Sequence, residues 1–157
     1  MFGNRPIHLD GTWTLRALGL LRIVTALLFL QHGTGKILGF PESSMAFPPA
    51  WSLYWMAGWL ELVGSLLLIL GLFTRPVAFI LAGEMAIAYW AFHASESIFP
   101  IINRGETAIL FCFIFLLFAA TGPGAWSIDE ILAKRRSDVE GYNAPGGERT
   151  FYNDADE

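Results

Sequence analysis

Three ionisable residues lie inside long apolar stretches of the chain: Arg22, Glu61 and Glu84. A charged side chain deep in a bilayer costs several kcal/mol, so it is retained when it is paired or used. A rise of about 1.5 Å per residue places Arg22 and Glu84 at similar depth from one membrane face, with Glu61 nearer the other. The sequence therefore predicts a buried ion pair between Arg22 and Glu84, which would fix helix register without any substrate.

A second polar group is expected at the opposite, outer end of the helices, where Glu61 would meet Lys36 and His32. Arg22, His32 and Lys36 recur on one face of a helix, with Gln31 on the other side. The outer group contains more polar side chains than helix register needs, which predicts a substrate-binding site. Its members are His32, Lys36, Glu61, His93, Asn103, Arg104 and Glu106.

Metal binding is one chemistry that histidines and carboxylates in this outer group could support, but they match no known ligand spacing, so no metal site is predicted. Glu106 has a structural interpretation as well, because a carboxylate in a first turn stabilises the helix dipole. The single cysteine, Cys112, cannot form an intramolecular disulfide, and no intrinsic redox cofactor is evident.

The elements that would hold these residues are four apolar segments, at about 15–31, 53–72, 76–92 and 107–121. The chain has 157 residues, of which 54% are hydrophobic, and a mean hydropathy of +0.48. About 20 apolar residues cross a bilayer as a helix. We therefore predict an all-α integral membrane protein, a four-helix transmembrane bundle over 15–126. A soluble helical protein would have too little polar surface.

The flanking segments set the predicted topology. Most basic residues fall in the tails and in the middle loop, which places both the N and C termini in the cytoplasm. Residues 1–14 form the N-terminal tail, and a capping box at Ser127–Glu130 opens a short amphipathic interfacial helix over 127–136. The acidic segment 137–157 is expected to be disordered. Pro76 after a tight connection predicts an antiparallel hairpin of the second and third helices.

Four stretches together resemble the DoxX family of small four-helix bacterial membrane proteins. They are HGTGKILGFP (32–41), GWLELVGSLLLILGLFTR (58–75), AFHASESIFPIINRGETAIL (91–110) and GPGAWSID (122–129). The resemblance implies a bacterial inner-membrane protein. It also implies a link to membrane redox complexes, because the family is named for similarity to a subunit of a thiosulfate:quinone oxidoreductase. The family's motif residues carry over to Arg22, His32, Gly33, Lys36, Glu61, His93, Gly105 and Glu106.

Three functions stay open at this point. The first, which the resemblance implies, is a membrane subunit of a quinone-linked redox complex, which binds quinone or a small substrate at the outer group and docks a catalytic redox protein. A quinone has an apolar tail and two carbonyls that need donors such as Lys36, His32 or Arg104, and Glu61 or Glu106 could exchange protons with the outer side.

The second is a small-molecule binding or transport protein with a charged path joining Glu61 to Arg22 and Glu84. The third is a structural subunit, for example of a homo-oligomer. The lipid bilayer is the first expected partner, and nucleic acid is not expected.

Overall fold

A computed structural model describes residues 11–42, 44 and 46–143, and this part of the chain is helical without β-strands. The helices are α1 (Gly11–Ile37), α2 (Leu53–Leu70), α3 (Thr74–Ala88) continued by a π-helical turn (Tyr89–His93), α4 (Pro100–Asn103), α5 (Glu106–Thr121) and α6 (Ile128–Asn143).

The apolar helices agree with the predicted segments to within a few residues at most ends, although α1 is longer at both. Within the described residues, α1, α2 and α3 with its π-helical turn are long and apolar enough to cross a membrane, and α5 is a shorter apolar helix of 16 residues. Large apolar side chains such as Leu20, Phe79 and Phe113 point outward and are well exposed. A bundle with this apolar exterior is suited to contact with lipid.

Helices α1, α2, α3 and α5 form a bundle in which α1 packs on α2, α2 on α3, and α3 on α5. Small residues allow the backbones to approach. A Cβ atom at Gly33 would lie 2.5 Å from the backbone nitrogen of Leu62, and Ala78 and Ala82 are buried on α3. These small side chains of α3 therefore lie at a helix interface.

Helices α1 and α5 meet mainly through aromatic rings. The ring centroid of Phe29 lies 5.0 Å from that of Phe111 and 4.9 Å from that of Phe115. These bulky side chains keep the two backbones apart, and a groove lies between them at one end of the bundle. We call that end, where α1 finishes and α5 begins, the Lys36 end, and the opposite end the Arg22 end.

Arg22 does not pair with Glu84 in the structure, so the predicted ion pair is wrong. Its guanidinium is fully buried, and all of its hydrogen bonds within the described residues go to backbone carbonyls. Nε donates to Pro123 at 2.8 Å, and the terminal nitrogens donate to Trp126 at 2.9 Å and Ile69 at 3.0 Å. The remaining acceptors are the carbonyls of Leu68 and Ala125.

The binding of Arg22 to carbonyls rather than to a carboxylate has a physical cause. The last carbonyls of a helix have no intrahelical donor, and a buried cation satisfies them well. The C-terminal turn of α2 and the segment 123–126, which folds back beneath the bundle, together surround the guanidinium. Depth along a helix located Arg22 correctly at this end, but it wrongly placed Glu84 level with Arg22, since Glu84 lies level with Glu61. Depth also contains no information about which backbone groups a side chain will meet.

Two other side chains fix the Arg22 end. Asp129 accepts from the backbone N–H groups of Phe73 and Thr74, both at 2.9 Å, and so caps the start of α3. Arg75 donates to the carbonyl of Ala120 at 2.7 Å, at the C-terminus of α5. The predicted α2–α3 hairpin is present and is tied to the start of α6.

Helix α6 begins with the predicted cap, since the Ser127 hydroxyl accepts from the Glu130 N–H at 3.2 Å. It continues to Asn143 rather than ending at 136. The predicted disorder of 137–157 is therefore wrong for 137–143, and 144–157 lies outside the described residues. At the other terminus α1 begins at Gly11, inside the predicted tail 1–14, whose residues 1–10 are also outside the described part.

Candidate functional site

Lys36 and Glu61 form a buried ion pair at the Lys36 end. Lys36 Nζ lies 2.6 Å from Glu61 Oε1, and the two residues are only 7% and 2% exposed. Gly58 permits this approach, because a Cβ atom there would lie 3.0 Å from Lys36 Cβ. The contact expected from the sequence between these two residues is present.

Glu84 lies at the same level on α3. A Cβ at Gly64 of α2 would lie 2.9 Å from Leu81 of α3, so these positions face each other. Glu61 lies three residues before Gly64, and Glu84 lies three residues after Leu81. Because α2 and α3 are antiparallel, both steps run in the same direction in space and bring Glu61 and Glu84 to the same height. Glu84 is close enough to Glu61 and Lys36 for their charges to interact. We call Lys36, Glu61 and Glu84 the interior triad.

The interior triad contains polar atoms that the surrounding protein does not satisfy. Both carboxylate oxygens of Glu84 and Oε2 of Glu61 are buried and have no hydrogen-bond partner among the described residues. The same holds for the hydroxyl of Ser65, one turn from Glu61 on the same side of α2. Buried polar atoms are nearly always paired, so atoms without a partner mark a position of functional interest.

Beside the interior triad, a groove of about 400 Å³ opens between α1 and α5. Lys36 belongs to both, because it also forms part of the groove wall. We call this feature the α1–α5 groove, and its lining is Leu28, Gln31, His32, Lys36, Pro41, Glu42, Thr107 and Phe111. It combines aromatic and aliphatic walls with several hydrogen-bonding side chains.

His32 is an accessible residue of this groove. Its ring centroid lies 6.0 Å from those of both Phe29 and Phe111. The ring is thus held against the aromatic contact of α1 with α5, with its edge available to a molecule in the groove. Among the described residues no hydrogen bond or ion pair joins His32 to Glu61, which binds Lys36 instead.

His93 and Asn103 belong to a different arrangement. His93 Nδ1 is 2.8 Å from the carbonyl oxygen of Asn103. The Asn103 side chain, 2% exposed, donates to the carbonyl of Ser97 at 2.6 Å and accepts from the N–H of Gly105 at 2.7 Å. These contacts hold the connection between α3 and α5, which is a structural role.

Arg104 and Glu106 are exposed and line neither the groove nor the interior triad. Arg104 ends α4 with φ of 57°, and Glu106 lies in the first turn of α5, where its charge suits the helix dipole. The structure thus joins Lys36 to Glu61 and places Lys36 and His32 together on the groove wall, and it separates the other predicted residues from them.

Sequence reasoning did not place Glu84 beside Glu61, although a signal was available. In a tight hairpin centred near residues 72 and 73, residues that face each other across the two helices have numbers that add to about 145. Residues 61 and 84 meet this condition.

No group of three or more metal-ligating side chains occurs in the part of the chain that the structure describes.

Comparison with known proteins places the chain in a family. The family model described as DoxX matches residues 17–94. An uncharacterized protein of Haemophilus influenzae is 46% identical over 123 residues, which cover 75% of this chain and 92% of that protein. The chain belongs to the DoxX family. The matched region of this DoxX protein contains the interior triad, Arg22 and His32, whereas Asn103, Arg104 and Glu106 lie beyond it.

Two relatives from Escherichia coli bear on location. The inner membrane protein YqjF is 32% identical over 124 residues, covering 73% of this chain and 90% of its own length. The inner membrane protein YphA is 31% identical over 119 residues, covering 69% and 84%. Together with the apolar helices, they identify this DoxX protein as a multi-pass inner-membrane protein. No solved structure matches the chain.

Proposed function

We propose that this DoxX protein is a membrane subunit of a quinone-linked redox complex and that quinone, or a small substrate, binds in the α1–α5 groove. The observation that carries the proposal is the composition of that groove, in which Lys36 and His32 stand beside aromatic and aliphatic walls. In the proposed topology the chain crosses the membrane four times with both termini in the cytoplasm, so the groove lies in the outer leaflet.

The chemistry of a quinone matches this lining. The ring and its tail are apolar and would lie against Leu28, Pro41 and Phe111, while the two carbonyls accept hydrogen bonds. Lys36 and Gln31 offer donors, and His32 offers either a donor or an acceptor. A groove of about 400 Å³ is within the usual range for small-molecule sites, roughly 300–1,000 Å³.

A catalytic partner would supply the redox centre in this proposal. The chain has one cysteine, Cys112, so it cannot form a dithiol couple by itself. The DoxX protein would hold the quinone headgroup in place and present it to the partner. His32 and Lys36 would orient the carbonyl oxygens.

Lipid extraction and mass spectrometry of the detergent-purified protein test the proposal. Wild type should carry quinone in stoichiometric amount, and His32→Ala and Lys36→Met should lose most of it. Lys134→Met is the matched control, because Lys134 is exposed on α6, away from the groove, and pairs with Glu130. Wild type that is free of quinone, and stays free when quinone is supplied in excess, would contradict the proposal.

Small-molecule binding or transport is a second candidate, favoured by the unpartnered oxygens of Glu61 and Glu84 inside the bundle. The path would not include Arg22, because its guanidinium is engaged by backbone carbonyls. Substrate flux into proteoliposomes that contain this chain alone would support transport over the redox proposal. A structural role in a homo-oligomer would be favoured by an absence of both quinone and flux.

A further inference from the structure

The interior triad has an uneven charge balance. It contains two carboxyl groups, those of Glu61 and Glu84, and one ammonium group, that of Lys36. Lys36 Nζ is bonded to Glu61 Oε1 at 2.6 Å, which leaves Glu84 without a cation of its own. If both carboxyls were ionised, the triad would carry a net negative charge inside the bundle.

No other cation near the triad, among the described residues, offsets this charge. On α1, Arg22 lies at the opposite end and is bound to carbonyls, and His32 faces the α1–α5 groove. On α5 the nearest titratable groups are the half-buried thiol of Cys112 and the exposed Glu106. His93, after α3, is bonded to Asn103.

Burial makes an uncompensated carboxylate costly at this position. Both oxygens of Glu84 are shielded and accept no hydrogen bond from the described residues. An ionised carboxylate in such surroundings loses its hydration without gaining a donor, and a group in that situation tends to become neutral instead. Glu61 differs from Glu84, because the bond from Lys36 favours its ionised form.

We propose that Lys36, Glu61 and Glu84 form a proton-binding site, in which ionised Lys36 and Glu61 neutralise each other and Glu84 holds one exchangeable proton. Lys36 is the member of the triad that also lines the α1–α5 groove, so the groove is the proposed route by which the proton reaches solution. This inference goes beyond quinone binding and does not depend on it.

Infrared spectroscopy of the full-length protein in detergent, after removal of bound lipid quinone, tests the site. At neutral pH the exposed carboxyls are ionised, and a protonated carboxyl has its own C=O stretching band. Wild type should show the band of one carboxylic acid, which shifts when H₂O is replaced by D₂O. Glu84→Gln should lose the band, and Glu96→Gln, a change at an exposed loop residue, should keep it.

Two further variants change the charge balance in opposite directions. Lys36→Met removes the cation, so both carboxyls should be protonated and the band should roughly double. Glu61→Gln leaves Lys36 free to neutralise Glu84, so the band should disappear although Glu84 is intact. Misfolding, which size-exclusion chromatography and circular dichroism would reveal, does not produce a gain in one variant and a loss in the other.

The proposal is overturned if wild type has no carboxylic acid band, or if the band persists in Glu84→Gln. It is also overturned if Lys36→Met leaves the band unchanged. Because the samples contain no quinone, these results are independent of whether the groove binds one. A protein that binds quinone but lacks the band would refute the proton site alone.

Discussion

Arg22 shows how a charged residue can be retained in an apolar helix for structural reasons. Its fully buried guanidinium joins the end of α2 to the segment 123–126 through backbone carbonyls. Each carbonyl left without a donor in a buried place costs about 1–3 kcal/mol. The side chain therefore stabilises the Arg22 end of the bundle, and no substrate is needed to explain it.

Replacement of Arg22 by Met should lower the free energy of unfolding by about 3 kcal/mol or more, because several buried carbonyls lose their donor together. Thermal unfolding of the purified protein in detergent measures the effect. Arg16→Met is the matched control, since Arg16 is exposed and its guanidinium carbon lies over the Trp13 ring, 5.2 Å from the ring centroid. Equal stability of the two variants would show that the carbonyl contacts contribute little.

At the scale of the helices, the close packing of α1 against α2 brings Lys36 within reach of Glu61. Gly33 makes this possible, because any side chain there would meet the backbone of Leu62. The α1–α5 groove has the opposite origin, because the rings of Phe29 and Phe111 keep those helices apart. The Lys36–Glu61 pair and the groove therefore both depend on the sizes of the side chains where α1 meets its neighbours.

Gly33→Ala should destabilise the protein by roughly 1–3 kcal/mol, because the new methyl group overpacks the α1–α2 contact. Gly83→Ala is the control, since a Cβ at Gly83 meets nothing within 4 Å. That substitution should be neutral or stabilise α3 by up to about 1 kcal/mol. Melting temperatures of both variants decide the matter, and an unchanged value for Gly33→Ala would contradict the packing described here.

Asp129 provides a test of the junction between α3 and α6. Asp129→Ala removes both acceptors for the N–H groups of Phe73 and Thr74. The loss should cost about 1 kcal/mol and should increase hydrogen exchange at the start of α3. Glu130→Ala, which removes only a surface pair with Lys134, should change neither quantity appreciably. Equal exchange in the two variants would argue against the cap.

At the scale of the whole molecule, the sequence predicted the helices well but their side-chain partners only in part. Apolar length located α1, α2, α3 and α5, and the Lys36–Glu61 contact followed from depth. Arg22 binds backbone carbonyls, and because every residue has one, the sequence does not show which carbonyls it will meet. The bond from His93 to Asn103 depends on the path of a loop, which periodicity does not describe. The position of Glu84 beside Glu61 could have been predicted only from the register of the α2–α3 hairpin.

The proposed topology makes a prediction about the two membrane faces. In a Cys112→Ser background, Ser95→Cys should react with a membrane-impermeant thiol reagent added to intact cells whose outer membrane has been permeabilised. Ser137→Cys should react only after the inner membrane is opened. Both serines are exposed, so accessibility to solvent is matched. The reverse pattern would place the termini outside the cytoplasm.

The central claim, that the α1–α5 groove holds a quinone, is tested most directly by photolabelling. A quinone that carries a photoreactive group on its ring would be added to the purified protein, irradiated, and located by peptide mass spectrometry. We expect labels on residues 28–36 of α1 and 107–111 of α5, suppressed by excess unlabelled quinone and by His32→Ala. Labels spread over the lipid-facing surfaces of α2 and α3, and insensitive to competition, would contradict the account.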